Sequence, residues 1–196
     1  MSQESRTWEE FRGGNEAAFS RLYDQHVRAL LAYGHRLTSD RALVEDCLHD
    51  LLIDLWERRA FLGVTTSVRL YLFKSLKHKL LKALDQRRRR PMSHPTNLDD
   101  YAFSFARCPE SLLIESQGNE ARETHLHRSL AQLPPAQREA VYLRFFEGMA
   151  YEEIAELLAI NYQSVNNLVY RAMKSLRKAM ANAVLGLVWV VAGHLG

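Results

Sequence analysis

Apolar side chains recur at three- and four-residue steps along most of this chain, and that spacing suits one regular structure, the amphipathic α-helix. Glu16 to Tyr33 carries Ala17, Phe19, Leu22, Tyr23, Val27, Leu30 and Leu31. The stretch TSDRALVEDCLHDLLIDLWERR carries Leu43, Val44, Cys47, Leu48, Leu51 and Leu55, with Thr38, Ser39 and Asp40 each able to cap it. A third stretch, SVRLYLFKSLKHKLLKALDQRRRR, places Leu72, Leu76, Leu80 and Leu84 four residues apart. Breakers are scarce: 196 residues hold nine glycines and five prolines, so the reading is all-α. With 47% hydrophobic and 25% charged residues the chain is globular rather than disordered.

Charge separates by segment although it nearly balances overall, 26 basic residues against 23 acidic. The second stretch has an acidic stripe of Asp46, Asp50, Asp54 and Glu57. The third is basic, with Lys74, Lys77, His78 and Lys82 expected opposite its leucines and the run Arg87 to Arg90 at its end. An acidic helix followed by a basic one implies two different partners, one of them a polyanion. Residues 91–120 lose the periodicity and gather three prolines, so they read as a linker after a helical domain at 1–90. Within it Tyr101, Phe103 and Phe105 alternate with small residues and could dock. Cys47 lies on an apolar stripe and reads as a buried thiol. Neither it nor Cys108 belongs to a disulfide framework or metal-ligand spacing. The polar start MSQESRTWEEF is not a secretory signal, which points to the cytoplasm.

Residues 121–182 read as helix, helix, short helix, turn and long helix. Pro134 and Pro135 separate the first two, Gly148 suits a left-handed C-cap after RFFEG, and Asn161 suits the N-cap of the last. Ala155 and Val165 flank the turn where two crossing helices would pack. This is a helix-turn-helix pattern, whose second helix enters the DNA major groove. Val165, Leu168, Val169, Ala172 and Leu176 anchor that helix. Gln163, Asn166, Asn167, Tyr170, Arg171 and Lys174 lie opposite, amides suited to adenine and cations suited to guanine or phosphate.

In this order the segments FSRLYDQHVRALLAYGHRLTSDRALVEDCLHDLLIDLWERR, VRLYLFKSLKHKLLKAL and LPPAQREAVYLRFFEGMAYEEIAELLAINYQSVNNLVYRAMKSLRKAM resemble RNA polymerase sigma factors of the extracytoplasmic-function type. The resemblance implies two small helical domains, sigma regions 2 and 4, joined by a linker that tracks the polymerase. It implies core RNA polymerase and promoter DNA as partners, an anti-sigma factor (often membrane-bound) as regulator, and no cofactor or catalytic group. Asp46, His49, Asp50 and Ile53 would meet the polymerase clamp. Gly63 to Ser67 would cradle an unstacked base of the minus-ten element, with Tyr71 and Phe73 as candidate stacking partners and Lys74, Lys77, His78 and Lys82 on phosphates. Gln163, Ser164, Asn166, Asn167, Tyr170, Arg171 and Lys174 would read the minus-thirty-five element.

Four positions depart from the family pattern: Ala159 for a turn glycine, Ala150 for a serine cap, His49 for a glutamine and His78 for an asparagine. Ala159 either takes a left-handed backbone at a cost of roughly 1 kcal/mol or forces a different turn. The tail 183–196 has an apolar run, Ala183 to Ala192, short of the roughly 20 residues a bilayer crossing needs. It reads as a helix end packed on the protein itself, with autoinhibition or partner docking as functional versions. The alternative to a sigma factor is a stand-alone dimeric helix-turn-helix regulator, which predicts tight DNA binding without polymerase.

Overall fold

A computed structural model describes residues 3–88, 103–105 and 120–193, with side chains over 3–87, 103–105 and 126–180. All regular elements among these residues are helical, as the three- and four-residue spacing requires. Two compact units result, Met1–Thr96 and Asn97–Gly196.

The first unit holds α1 (Gln3–Arg12), α2 (Glu16–Leu37), α3 (Arg41–Glu57), a 3-10 turn (Arg59–Phe61) and α4 (Val68–Arg88). The polar start is thus a helix, folded back because Trp8 and Phe11, three residues apart, are both buried. Gly14, at φ +90°, reverses the chain in a backbone region that side chains disfavour. The Asn15 side chain then accepts from the Ala18 N–H at 3.0 Å and starts α2. Gly34 lets α2 and α3 cross closely, since a Cβ there would stand 2.5 Å from Val44 Cγ1. Of the three candidate caps of α3, Asp40 makes the bond, accepting from the Leu43 N–H at 3.0 Å, while Thr38 Oγ1 accepts from the Asp40 N–H. That bond holds the Asp40 carboxyl below its ordinary value, helped by an ion pair with Arg87 at the end of α4. Leu72, Leu76 and Leu80 enter the core with Leu22, Leu30, Val44, Leu48 and Leu55, whereas Leu84 is only half-buried. Cys47 is buried, and desolvation pushes its thiol pKa up.

The second unit holds α5 (Glu120–Ala131), α6 (Pro135–Phe145), α7 (Tyr151–Leu158) and α8 (Tyr162–Gly193). Pro135 sits in the first turn of α6, where its missing N–H is no loss. Gly148, at φ +66°, ends the following turn, with the Met149 N–H reaching the Leu143 carbonyl at 3.0 Å. Two residues from the stretch read as linker belong to this unit. Phe103 and Phe105 are buried against Tyr142 of α6, at ring-centroid distances of 5.6 and 6.1 Å, and Phe105 also meets Phe146 at 5.6 Å. Two residues apart, their own rings meet edge to face at a centroid distance of 6.1 Å. Tyr101, Cys108, Arg89, Arg90 and the rest of 91–120 except Phe103–Phe105 lie outside the described residues, apart from Glu120 at the start of α5. The backbone of α8 continues to Gly193, but the side chains of the apolar tail lie outside them too. No helix among the described residues is long and apolar enough to cross a membrane.

Candidate nucleic-acid and polymerase interfaces

In the second unit, α7 and α8 pack through Ile154, Leu157, Leu158, Val165, Val169, Ala172 and Leu176, all buried. Ala155, half-buried beside the turn, accepts from the Ile160 N–H at 3.0 Å. Ala159 carries the reversal at φ 54°, ψ 41°, the one non-glycine residue at positive φ among those described. The left-handed option is therefore the one taken. Asn161 caps α8 as its position predicts, its side chain accepting from the Ser164 N–H at 2.7 Å. At the start of α7 alanine offers no oxygen, but the Glu153 carboxylate accepts from the Ala150 N–H at 2.9 Å, half of a capping box.

With the anchoring face committed, Gln163, Asn166, Asn167, Tyr170, Arg171 and Lys174 are exposed along one side of α8, and Ser164 is half-buried. Arg177 and Lys178 extend the cationic end of that helix. Amides near the helix N-terminus with cations further on match a major-groove reader, where base edges are met first and phosphates flank. Tyr162, half-exposed and tilted over Tyr151 at 5.8 Å, also borders this face and was not singled out from sequence. Its position at the first residue of α8 is the signal that could have found it.

In the first unit, α3 exposes Asp46, His49, Asp50 and Ile53 together. An apolar side chain ringed by charges is a common composition for a protein-docking patch. Asp54, of the same acidic stripe, is engaged instead by Lys79 of α4 at 2.5 Å. On α4, Lys74, His78 and Lys82 are exposed at four-residue steps. Lys77 is not with them: it is 7% exposed. One position before His78, it turns about 100° around the helix, toward the buried side. Of the two stacking candidates, Phe73 is fully buried against Tyr33, 5.0 Å away, and belongs to the core. Tyr71 is half-buried, 5.5 Å from Trp8.

The loop between the 3-10 turn and α4 is anchored at several points. The Arg59 guanidinium lies 4.3 Å over the Trp56 ring and donates to the Trp56 carbonyl. The Trp8 indole N–H donates to the Gly63 carbonyl at 3.1 Å. The Ser67 hydroxyl accepts from the Leu70 N–H at 3.2 Å and caps α4. From this loop Phe61 and Val64 project, 90% and 79% exposed. Val64 lies within the Gly63 to Ser67 stretch named from sequence; Phe61 was not singled out, because no local pattern distinguishes an exposed phenylalanine from a core one. No group of three or more metal-ligating side chains that could hold a metal ion occurs among the described residues.

Two family models match the chain in order: Sigma-70 region 2 over residues 22–90 and Sigma-70, region 4 over residues 124–176. The first covers α4 with its loop and the second the helix-turn-helix. The ECF RNA polymerase sigma factor SigL of Mycobacterium tuberculosis is 27% identical over 164 residues, which are 83% of this chain and 89% of that protein. The RNA polymerase sigma factor CarQ of Myxococcus xanthus is 26% identical over 177 residues, 90% of this chain and 97% of its own. Among solved structures, the sigma factor RpoE of Bartonella quintana, in complex with the anti-sigma factor NepR, shares the fold at a TM-score of 0.55. Its identity is 21%, covering 83% of this chain and 96% of that one. CnrH, in complex with the cytosolic domain of CnrY, shares it at 0.60 and 20% identity, over 93% and 99%. The chain belongs to the sigma-70 family of RNA polymerase sigma factors, in its extracytoplasmic-function branch.

Proposed function

We propose that the two units divide promoter recognition between them while core RNA polymerase supplies the chemistry. The observation that carries this is the pairing within one chain of an open helix-turn-helix face with an anchored loop leading into a basic helix. A stand-alone repressor needs only the first. Gln163, Asn166, Asn167, Tyr170 and Arg171 read the minus-thirty-five element in the major groove, Ser164 borders them, and Lys174 binds phosphate. In the first unit, Gly63 to Ser67 receive an unstacked base of the minus-ten element, with Phe61, Val64 and Tyr71 lining its approach. Lys74, His78 and Lys82 bind phosphates of the captured strand, while buried Lys77 contributes to α4 rather than to that contact. Extruding a base costs on the order of a few kcal/mol, offset by stacking of about 1–3 kcal/mol per base and by charge. Asp46, His49, Asp50 and Ile53 form the patch for the polymerase.

The chain works in the cytoplasm, where polymerase and promoter are, and carries no catalytic role of its own. An anti-sigma factor is its regulator, a class of partner present in the solved RpoE complex named above. The test is size-exclusion chromatography with bacterial core RNA polymerase, then promoter binding with and without polymerase. Co-elution with specific DNA binding only in the complex is the expected result. Tight, specific DNA binding by the free chain without co-elution would move the reading to a stand-alone regulator.

A further inference from the structure

Trp8 joins two parts of the first unit that the proposed strand capture requires. Its ring is 2% exposed and lies 5.3 Å from Phe11 and 5.5 Å from Tyr71, the latter on the same helix as Lys74. Its indole N–H reaches the carbonyl of Gly63, 55 residues away in sequence. The other anchors described for this loop are local. Arg59 binds Trp56 at its start, and Thr65 and Ser67 bond each other and the first turn of α4 at its end. The Trp8 bond instead ties the middle of the loop to another element. On either side of that point Phe61 and Val64 face solvent, and around Gly63 itself a Cβ would meet nothing within 4 Å. The arrangement is a fixed carbonyl with open space beside it and two uncovered apolar side chains flanking it. A loop held this way loses little further freedom when a ligand arrives, which is where preorganisation gains affinity.

We infer that Trp8 is a positioning residue for strand capture: through the Gly63 carbonyl it holds the loop in the shape that receives the unstacked base. The inference rests on the reading of Gly63 to Ser67 given above. It brings α1, which precedes the family-matched residues 22–90, into the promoter-melting apparatus. Ring and N–H have separable jobs. Burial against Phe11 and Tyr71 needs only an aromatic body, whereas the Gly63 carbonyl needs the donor.

Two variants separate them, Trp8→Phe and a tryptophan analogue at position 8 with sulfur in place of the indole N–H, which keeps the bicyclic shape. Each is assembled with core polymerase. Affinity is then measured for two probes taken from a promoter selected out of random DNA by the wild-type holoenzyme. One is the single-stranded non-template minus-ten segment and the other the duplex minus-thirty-five segment. Both variants should bind polymerase and the duplex as the wild type does, and bind the single strand about threefold to tenfold more weakly, the loss of one hydrogen bond. Unchanged single-strand affinity in the sulfur analogue would overturn the inference. So would an equal fall in polymerase binding, which marks a residue that only completes the core. A wild-type holoenzyme with no affinity for the single strand would overturn the loop reading and this inference together.

Discussion

Ala159 holds a left-handed backbone that glycine adopts freely, at φ 54°, in the turn that aims α8. Ala159→Gly should therefore raise unfolding free energy by about 1 kcal/mol, read as a higher midpoint in denaturant with the slope unchanged. The missing serine at Ala150 is a smaller loss than it looks from sequence, since Glu153 still binds the backbone N–H at the start of α7. His26 is the titrating residue to watch. Burial lowers its pKa below 6.5, the Glu4 carboxylate 3.3 Å from Nε2 opposes that shift, and Arg69 adds to it. The folded state thus prefers the neutral ring, while the unfolded chain takes up a proton below pH 6.5. The contribution to stability is present above that pH and is lost as pH falls through the folded-state value. Thermal midpoints between pH 7.5 and 5 should fall less steeply in His26→Leu than in wild type. Equal slopes would show that the Glu4 carboxylate cancels the effect of burial on His26.

At the level of whole elements, the aromatic strap of Phe103 and Phe105 extends the second unit beyond its helices. It packs on Tyr142 and Phe146, themselves stacked 5.7 Å apart on consecutive turns at the end of α6. Phe103→Ala removes a fully buried ring and should cost roughly 3 kcal/mol or more, measured by chemical denaturation of the full chain. Phe146, more than half exposed, should tolerate the same change far better. The strap was visible in sequence as alternating aromatics, but what it docks on was not, because Tyr142 lies far along the chain. Helix α4 makes the same point. Its leucine spacing located the buried side correctly at Leu72, Leu76 and Leu80, yet Lys77 was placed with the exposed cations and is buried. Its helical position lies at the boundary between the two faces, where neighbouring elements decide exposure.

Across the molecule, recognition functions are assigned to separate units, so single defects should separate too. Asn166→Ala with Asn167→Ala removes amide contacts worth about 1–3 kcal/mol each if bidentate. The holoenzyme should lose on the order of tenfold or more in affinity for duplex minus-thirty-five DNA while still co-eluting with polymerase. A parallel loss of polymerase binding would mean that this face of α8 is not a DNA reader. Dividing the chain this way also explains how a net charge of only +3 serves a DNA-binding protein. Acid is gathered on α3 and base on α4 and α8, so local fields differ in sign where the total nearly cancels.

The helices from α2 onward, the cap at Asn161, the reversal at Gly148 and the exposed face of α8 were legible in the chain, and Asp40 was one of three candidate caps. Each depends on residues within a turn or two of one another, and the 3.6-residue period turns local order into a face. Four features were not legible: the packing of α1 under the 63–67 loop, the close crossing at Gly34, the burial of Lys77, and the exposure of Phe61 and Val64. Those are facts about which surfaces meet. Trp8 and Gly63, or Gly34 and Val44, become neighbours only when helices distant in sequence close on one core, and burial is a property of that closure rather than of any residue alone.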